Sequence, residues 1–144
     1  MKLLFDASAL LNLARRLGRD SLKYLRGNYI LTLTPYEVAN ALWKEAALLR
    51  RISLGEAETI LTSISAAYKL MEVVEPLDRV LVLRLAYALG LTYYDSSYVV
   101  ASHERGARLV TDDKKLRIRL RSQRSKVSEL LGKEPSLMQS IDIV

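Results

Sequence analysis

The sequence predicts an α/β fold: one domain over residues 1–144, with a central parallel sheet of four or five short strands flanked by helices. Short apolar runs alternate along the chain with longer stretches of helical period, which is typical of strands joined by helical crossovers. The runs are continuously apolar, as in parallel strands that are covered on both faces. A chain of 144 residues, half of them hydrophobic, can bury a core without disulfides.

Five apolar runs are the strand candidates. The predicted strands cover residues 2–5, 29–33, 71–74, 108–111 and, as the fifth, 141–144. Each is short and is followed by residues that favour a turn or the start of a helix.

Sequence patterns that predict helices lie between the predicted strands. After the second strand, Thr34 is the predicted N-cap, with Pro35 at the first helical position and Glu37 completing a capping box. Ser53 and Glu56 repeat the S-x-x-E pattern and open another helix that runs to about residue 68. Two helices therefore separate the second and third strands.

Three further helices are predicted in the second half of the chain. They cover residues 76–89, 93–105 and a basic stretch from residue 114 onward. Gly90 and Gly106 follow the first two at the position where glycine commonly ends a helix.

The composition excludes several kinds of catalytic and metal-binding chemistry. The chain has no cysteine and one histidine, so thiolate catalysis, disulfides, sulfur-ligated zinc and histidine metal sites are excluded. Lysine and arginine outnumber aspartate and glutamate by 22 to 16, a net charge of +6 that suits a partner with a phosphate backbone. Because Asp6 interrupts the first apolar run, we expect no signal peptide, no membrane partner and a soluble, cytoplasmic protein.

Carboxylates stand where four predicted helices begin. They are Asp6, Glu37, Asp95 and Asp113, with Asp112 beside the last. The helix that follows a parallel strand starts at the carboxyl edge of the sheet, where such folds build their ligand sites. Oxygen ligands of this kind bind Mg²⁺ or Mn²⁺, and such a cation supports phosphodiester hydrolysis without a histidine.

The same acids have a purely structural interpretation. Acidic side chains at helix N-termini cap free N–H groups and complement the helix dipole in any protein. Asp6 is placed to cap a helix that begins near Ser8, Asp112 or Asp113 to cap the basic helix, and Asp95 follows Thr92 at capping-box spacing. Capping explains each acid singly, but it gives no reason for the ends of three strands to be acidic together.

Three segments resemble the PIN-domain family, in particular the VapC-type toxins. They are LLFDASALLNL at the start, TPYEVANAL after the second strand and TYYDSSYVVASHERGARLVTDDKKL in the last third. Their order, spacing and strand-helix context together carry the resemblance. It implies a Rossmann-like PIN domain and a metal-dependent endoribonuclease that is the toxin of a toxin-antitoxin pair. It also implies Mg²⁺ or Mn²⁺ as cofactor, an RNA substrate, a homodimer and an antitoxin partner.

The resemblance also assigns roles to individual residues. The catalytic and metal-binding acids are Asp6, Glu37, Asp95 and Asp113, with Asp112 as a possible further ligand. Ser8 and Thr111 match hydroxyls that order the metal site, although a helix-start hydroxyl is an equal interpretation. Asn40, one turn after Glu37, faces the same side. The alternative is a catalytically silent PIN-like module that binds RNA or serves as a scaffold.

Basic and aromatic residues supply candidate RNA contacts. Arg117, Arg121 and Arg124 are expected on one helical face, where they either contact RNA or form a solvated surface. Tyr93, Tyr94 and Tyr98 either stack on bases or pack against the sheet. Trp43 is assigned to packing.

Overall fold

The computed structural model describes residues 1–143 and has a parallel sheet of five strands at its centre. Along the sheet the strand order is β3-β2-β1-β4-β5, and each neighbouring pair runs parallel. The strands are β1 (Leu3–Phe5), β2 (Tyr29–Leu31), β3 (Glu72–Val74), β4 (Arg108–Val110) and β5 (Leu137–Met138). This confirms the α/β class and the parallel sheet.

Helices cover both faces of the sheet. They are α1 (Ala7–Leu17), α2 (Leu22–Leu25), α3 (Thr34–Trp43), α4 (Leu54–Tyr68), α5 (Arg79–Leu89), α6 (Tyr93–Glu104), α7 (Lys114–Ser122) and α8 (Arg124–Leu131). Helix α3 continues as a π-helical turn over Lys44–Leu48, and 3₁₀ turns cover Gly18–Ser21 and Ser140–Asp142. Within residues 1–143, none of the helices is long and apolar enough to cross a membrane.

Alternation along the strands divides the core into two layers. In β1, Leu4 packs with the core residues of α5 to α8, whereas Phe5 packs with those of α1 to α4. Ile30 and Leu31 of β2 divide in the same way. Successive side chains of a strand point to opposite faces, so each short strand contributes to both layers. Helical cover on both faces explains why the strands are apolar throughout.

The first four predicted strands are confirmed with trimmed ends, whereas the fifth is wrong. The expected strand at residues 141–144 is replaced by the 3₁₀ turn Ser140–Asp142, in which the Asp142 carboxylate accepts a hydrogen bond from Gln139 N (3.0 Å). Strand β5 lies earlier, where Leu137 and Met138 pair with β4. Ile143 is buried although it is not in a strand, and Val144 lies outside the described residues. The apolar residues of this segment divide between the core and the surface, since Ile143 is buried whereas Ile141 is 63% exposed.

Two expected helix starts also differ. Leu33 is the N-cap of α3, and the predicted Thr34–Glu37 capping box does not form. Helix α5 begins at Arg79 and not at residue 76, because the Asp78 side chain accepts a hydrogen bond from Leu81 N (3.0 Å) and caps it.

Other helix signals give mixed outcomes. The Ser53–Glu56 capping box forms at α4, and Gly90 ends α5 with a φ of +67°. The basic stretch divides at Gln123, so Arg124 begins α8 and does not continue the face of α7. Trp43, expected to be packed, is 54% exposed.

Candidate active site at the carboxyl edge of the sheet

Four carboxylates lie at the starts of four helices. Asp6 directly follows β1 and is the N-cap of α1, and Asp113 follows β4 and is the N-cap of α7. Glu37 is in the first turn of α3, which follows β2, and Asp95 is in the first turn of α6. Strands β2, β1 and β4 are neighbours in the sheet, so the helices that follow them begin side by side at its carboxyl edge.

Asp6 both caps a helix and carries a buried charge. Its Oδ1 accepts hydrogen bonds from Ser8 Oγ (2.7 Å) and from Ala9 N (2.9 Å). The side chain is almost fully buried, and this burial raises the pKa of Asp6 to about 6, despite hydrogen bonds from Thr111, Ala9 and Ser8 that lower it. The negative charge of Asp113 raises this pKa further.

The carboxylate of Glu37 is held by a buried hydroxyl instead of by a helix cap. Tyr98 Oη donates to Glu37 Oε1 (2.7 Å), and the Tyr98 hydroxyl is in turn 2.8 Å from Thr34 Oγ1. Thr34 Oγ1 accepts from Leu31 N (3.0 Å) at the end of β2. A chain of hydrogen bonds therefore runs from the last residue of the strand to the carboxylate.

Tyr98, interpreted from the sequence as a base-stacking or packing residue, belongs to this site through a hydrogen bond that the sequence did not predict. It is 1% exposed and lies in the core, as its helical spacing suggested, but its hydroxyl is directed at Glu37. Burial raises the pKa of Tyr98, so it remains a proton donor at neutral pH. The one available signal was that a buried tyrosine needs a hydrogen-bond partner, here supplied by a carboxylate 61 residues away.

The charges of the four acids act on one another. Burial raises the pKa of Asp95 and the charge of Asp113 raises it further, while a hydrogen bond with Thr92 lowers it. Burial likewise raises the pKa of Glu37, opposed by the bond from Tyr98 and assisted by the charge of Asp95. The charge of Asp113 thus acts on Asp6 and Asp95, and the charge of Asp95 acts on Glu37. Through these pairs the four acids form one negatively charged cluster.

Asp112 is directed away from this cluster. Its carboxylate accepts hydrogen bonds from Ser140 N (2.8 Å), from Ser140 Oγ and from Asn12 Nδ2 (2.9 Å). Its backbone N donates to Ser8 Oγ (3.1 Å), which itself donates to Asp6. Asp112 therefore attaches the C-terminal segment to the start of α1, and Ser8 connects that attachment to Asp6.

The remaining candidate residues surround the acids. Thr111 is fully buried, and its Oγ1 accepts from Asp113 N (3.1 Å). Asn40 is exposed on α3, one turn after Glu37, and Arg121 is exposed on α7. Arg117, one turn after Asp113, has a buried Nε with no hydrogen-bond partner among residues 1–143. This buried donor therefore stays unsatisfied within the helix that Asp113 caps.

The chemistry of the acids suits a divalent cation, although their side chains are not gathered around one point. All the ligands on offer are oxygens, which Mg²⁺ and Mn²⁺ prefer, and burial, with a smaller contribution from neighbouring acids, raises the pKa values of Asp6, Glu37 and Asp95. Over residues 1–143, no three histidine, cysteine, aspartate or glutamate side chains form a group that could hold a metal ion. The acids therefore fit such a cation by the kind of donor they offer and not by the present arrangement of their side chains.

Comparison with known proteins identifies relatives that match most of this chain. No protein-family model matches the chain. It is 42% identical over 113 residues to Exonuclease VapC9 of Pyrobaculum aerophilum, covering 78% of this chain and 81% of that protein. It is 34% identical over 127 residues to Ribonuclease VapC3 of the same organism, covering 81% and 92% respectively.

A solved structure agrees with these relatives. The crystal structure of PAE2754 from Pyrobaculum aerophilum has a TM-score of 0.74 to this chain at 29% identity, covering 99% of this chain and 92% of that one. The acids at the carboxyl edge, the fold and the curated relatives lead to one assignment. The chain belongs to the VapC family of PIN-domain proteins.

Proposed function

We propose that this protein is a metal-dependent endoribonuclease and the toxin of a toxin-antitoxin pair. The observation that carries the proposal is the set of four carboxylates from four different helix starts at the carboxyl edge of the sheet, three of which (Asp6, Glu37 and Asp95) have pKa values raised by burial and, to a smaller extent, by a neighbouring acid. Perturbed acids gathered in this way are typical of catalytic sites. The similar proteins named as a ribonuclease and an exonuclease support nuclease chemistry.

The proposal gives each acid a role in holding Mg²⁺ or Mn²⁺. Asp6, Glu37, Asp95 and Asp113 would hold the cation, which when bound supplies positive charge to the phosphoryl oxygens and makes water more acidic. Ser8 and Ala9 hydrogen-bond to one oxygen of Asp6, and Thr111 gives a further hydrogen bond to this carboxylate. Tyr98 orients Glu37 by its hydroxyl hydrogen bond. These contacts restrict the rotation of the carboxylates before any ligand arrives.

The basic side chains near the acids would position RNA. Arg117 has a buried, unpartnered Nε one turn after Asp113, and Arg121 is exposed one turn farther along α7. The net charge of +6 favours association with a polyanion. Affinity for RNA should therefore fall steeply as salt increases.

The proposal includes a homodimer and an antitoxin partner. Large apolar side chains are exposed on α3, on the segment between α3 and α4 and at the first residue of α4. They are Tyr36, Trp43, Leu48, Leu49 and Leu54. An exposed apolar surface of this kind is typical of a protein-protein contact. Sedimentation of the purified protein would test the dimer.

A cleavage assay on circular RNA tests the activity. A closed single strand has no ends, so an endonuclease cuts it and an exonuclease does not. We expect cleavage of circular single-stranded RNA with Mg²⁺ or Mn²⁺, no cleavage with EDTA and no cleavage by Asp95→Asn. Asp20→Asn, at an exposed acid far from the site in sequence, is the matched control and should cleave like the wild type.

Each other outcome has a distinct meaning. Cleavage of linear RNA alone would indicate an exonuclease. RNA binding with no cleavage under any condition would favour the catalytically silent module. Equal cleavage by Asp95→Asn and in EDTA would refute the proposed function.

A further inference from the structure

A small pocket lies at the same edge of the sheet as the acids, on the side of β3. Its volume is about 190 Å³. Its walls come from the turn after β2, from Glu75 and Pro76 after β3, and from Arg79 at the start of α5. The first turn of α6 closes it with Tyr93 and Tyr94. None of the four acids lines it, whereas Tyr93 and Tyr94 are two of the tyrosines that the sequence offered as candidate RNA contacts.

The pocket shares its framework with the acidic cluster. Tyr93 and Tyr94 directly precede Asp95 in α6, and Leu33, which also lines the pocket, is the N-cap of the helix that carries Glu37. The first turn of α6 therefore joins the pocket to Asp95, since Tyr94 and Asp95 are adjacent in the chain.

The lining has the chemistry of a site for a nucleobase. The rings of Tyr93 and Tyr94 are 41% and 60% exposed, large values for aromatic side chains in the first turn of a helix that packs on the core. Exposed aromatic rings bind unpaired bases by stacking. The exposed Arg79 guanidinium is suited to a phosphate, and the Glu75 carboxylate is an acceptor for the amino and imino groups of bases.

The size of the pocket sets the size of its ligand. Pockets for drug-sized molecules measure roughly 300–1,000 Å³. A pocket of about 190 Å³ admits one planar ring system, with the attached sugar and phosphate left outside. This matches a single base turned out of a flexible strand and does not match a base pair.

We propose that this pocket binds one base of single-stranded RNA next to the bond that is cleaved. Tyr94 stacks on the base, Tyr93 forms the wall behind it, and Arg79 contacts the neighbouring phosphate. This inference rests on the proposed function, because it takes RNA as the ligand. It makes the pocket a determinant of where along a strand the enzyme cuts.

Binding of a short RNA in EDTA tests the pocket without any cleavage. Fluorescence anisotropy with a labelled single-stranded RNA pentamer would compare the wild type with Tyr94→Ala, Tyr94→Phe and Tyr87→Ala. Tyr87 is 91% exposed on α5 and is the matched control for the loss of a surface tyrosine. We expect Tyr94→Ala to weaken binding by about 5- to 100-fold, and Tyr94→Phe, which keeps the ring, to bind like the wild type.

The outcomes separate this inference from the proposed function. Equal affinity of Tyr94→Ala and Tyr87→Ala, or equal loss in Tyr94→Ala and Tyr94→Phe, would overturn the stacking role. If the wild type still cleaves circular RNA in either case, the proposed function stands. If the wild type neither binds the pentamer nor cleaves RNA, both proposals fall. Sequencing of cleavage products should also show that Tyr94→Ala relaxes the base preference beside the cut, whereas Tyr87→Ala leaves it unchanged.

Discussion

Replacing Asp6 by asparagine should stabilise the metal-free protein at neutral pH. The burial that raises the pKa of Asp6 to about 6, from 3.8, means that the ionised form opposes folding. Asparagine has nearly the same shape, keeps an oxygen acceptor for Ser8 and Ala9 N, and does not ionise. The substitution therefore removes a charge without removing the helix cap.

The size of this stabilisation follows from the pKa values of Asp6 in the unfolded and folded states. At about 1.4 kcal/mol for each pKa unit, the ionised carboxylate costs about 3 kcal/mol of unfolding free energy above pH 6. The cost is absent below pH 3.8, where Asp6 is protonated in both states, and it grows as the pH rises from 3.8 to 6. A gain of about 3 kcal/mol corresponds to a rise in Tm of about 6–12 °C for a chain of this size.

Thermal unfolding in EDTA at pH 4 and at pH 7.5 measures this gain. We expect Asp6→Asn to melt well above the wild type at pH 7.5 and close to it at pH 4, whereas Asp20→Asn, at an exposed acid, should match the wild type at both. Saturating Mn²⁺ should raise the Tm of the wild type and leave that of Asp6→Asn nearly unchanged, because a ligand of the folded state stabilises it. An equal gain at the two pH values, or none at either, would refute the reasoning.

Three further substitutions test other parts of the structure. Tyr98→Phe removes the hydroxyl bound to Glu37, which should lower the free energy of unfolding in urea by about 1–3 kcal/mol. Because that bond lowers the pKa of Glu37, its loss should also move the acidic limb of the cleavage pH profile to higher pH. An unchanged profile would contradict this role of Tyr98. Gly90→Ala and Gly106→Ala should each cost about 1–2 kcal/mol for a left-handed backbone. Only the first also displaces Arg119, 2.8 Å from the added carbon, so equal losses would contradict this contact.

Local rules were sufficient where neighbouring residues decide the structure. Asp6 and Asp113 cap their helices as expected, and the Ser53–Glu56 box forms, because each depends on groups within three residues. For Asp6 the capping interpretation is confirmed, and the site interpretation stays a prediction that is compatible with it, since capping occupies only one of its oxygens. The sequence could not give its burial, which depends on how α1 packs on the sheet.

Local rules failed where distant partners compete for the same groups. The Thr34–Glu37 box does not form because Thr34 Oγ1 bonds to Leu31 N and to Tyr98, which leaves Glu37 to the tyrosine. The sequence offered Asp112 as a possible metal ligand, but its carboxylate accepts a hydrogen bond from Ser140, 28 residues later. No spacing in the sequence signals such partners, because only the tertiary fold brings them together.

We propose above that four carboxylates distant in sequence act as one cation site. A crystal structure of the protein soaked with Mn²⁺, with anomalous differences collected at the manganese edge, tests it directly. We expect a peak at the carboxyl edge of the sheet, with oxygens of Asp6 and at least two of Glu37, Asp95 and Asp113 at about 2.0–2.3 Å. A soaked crystal with no peak among these four side chains, or with manganese bound only elsewhere, would contradict the account.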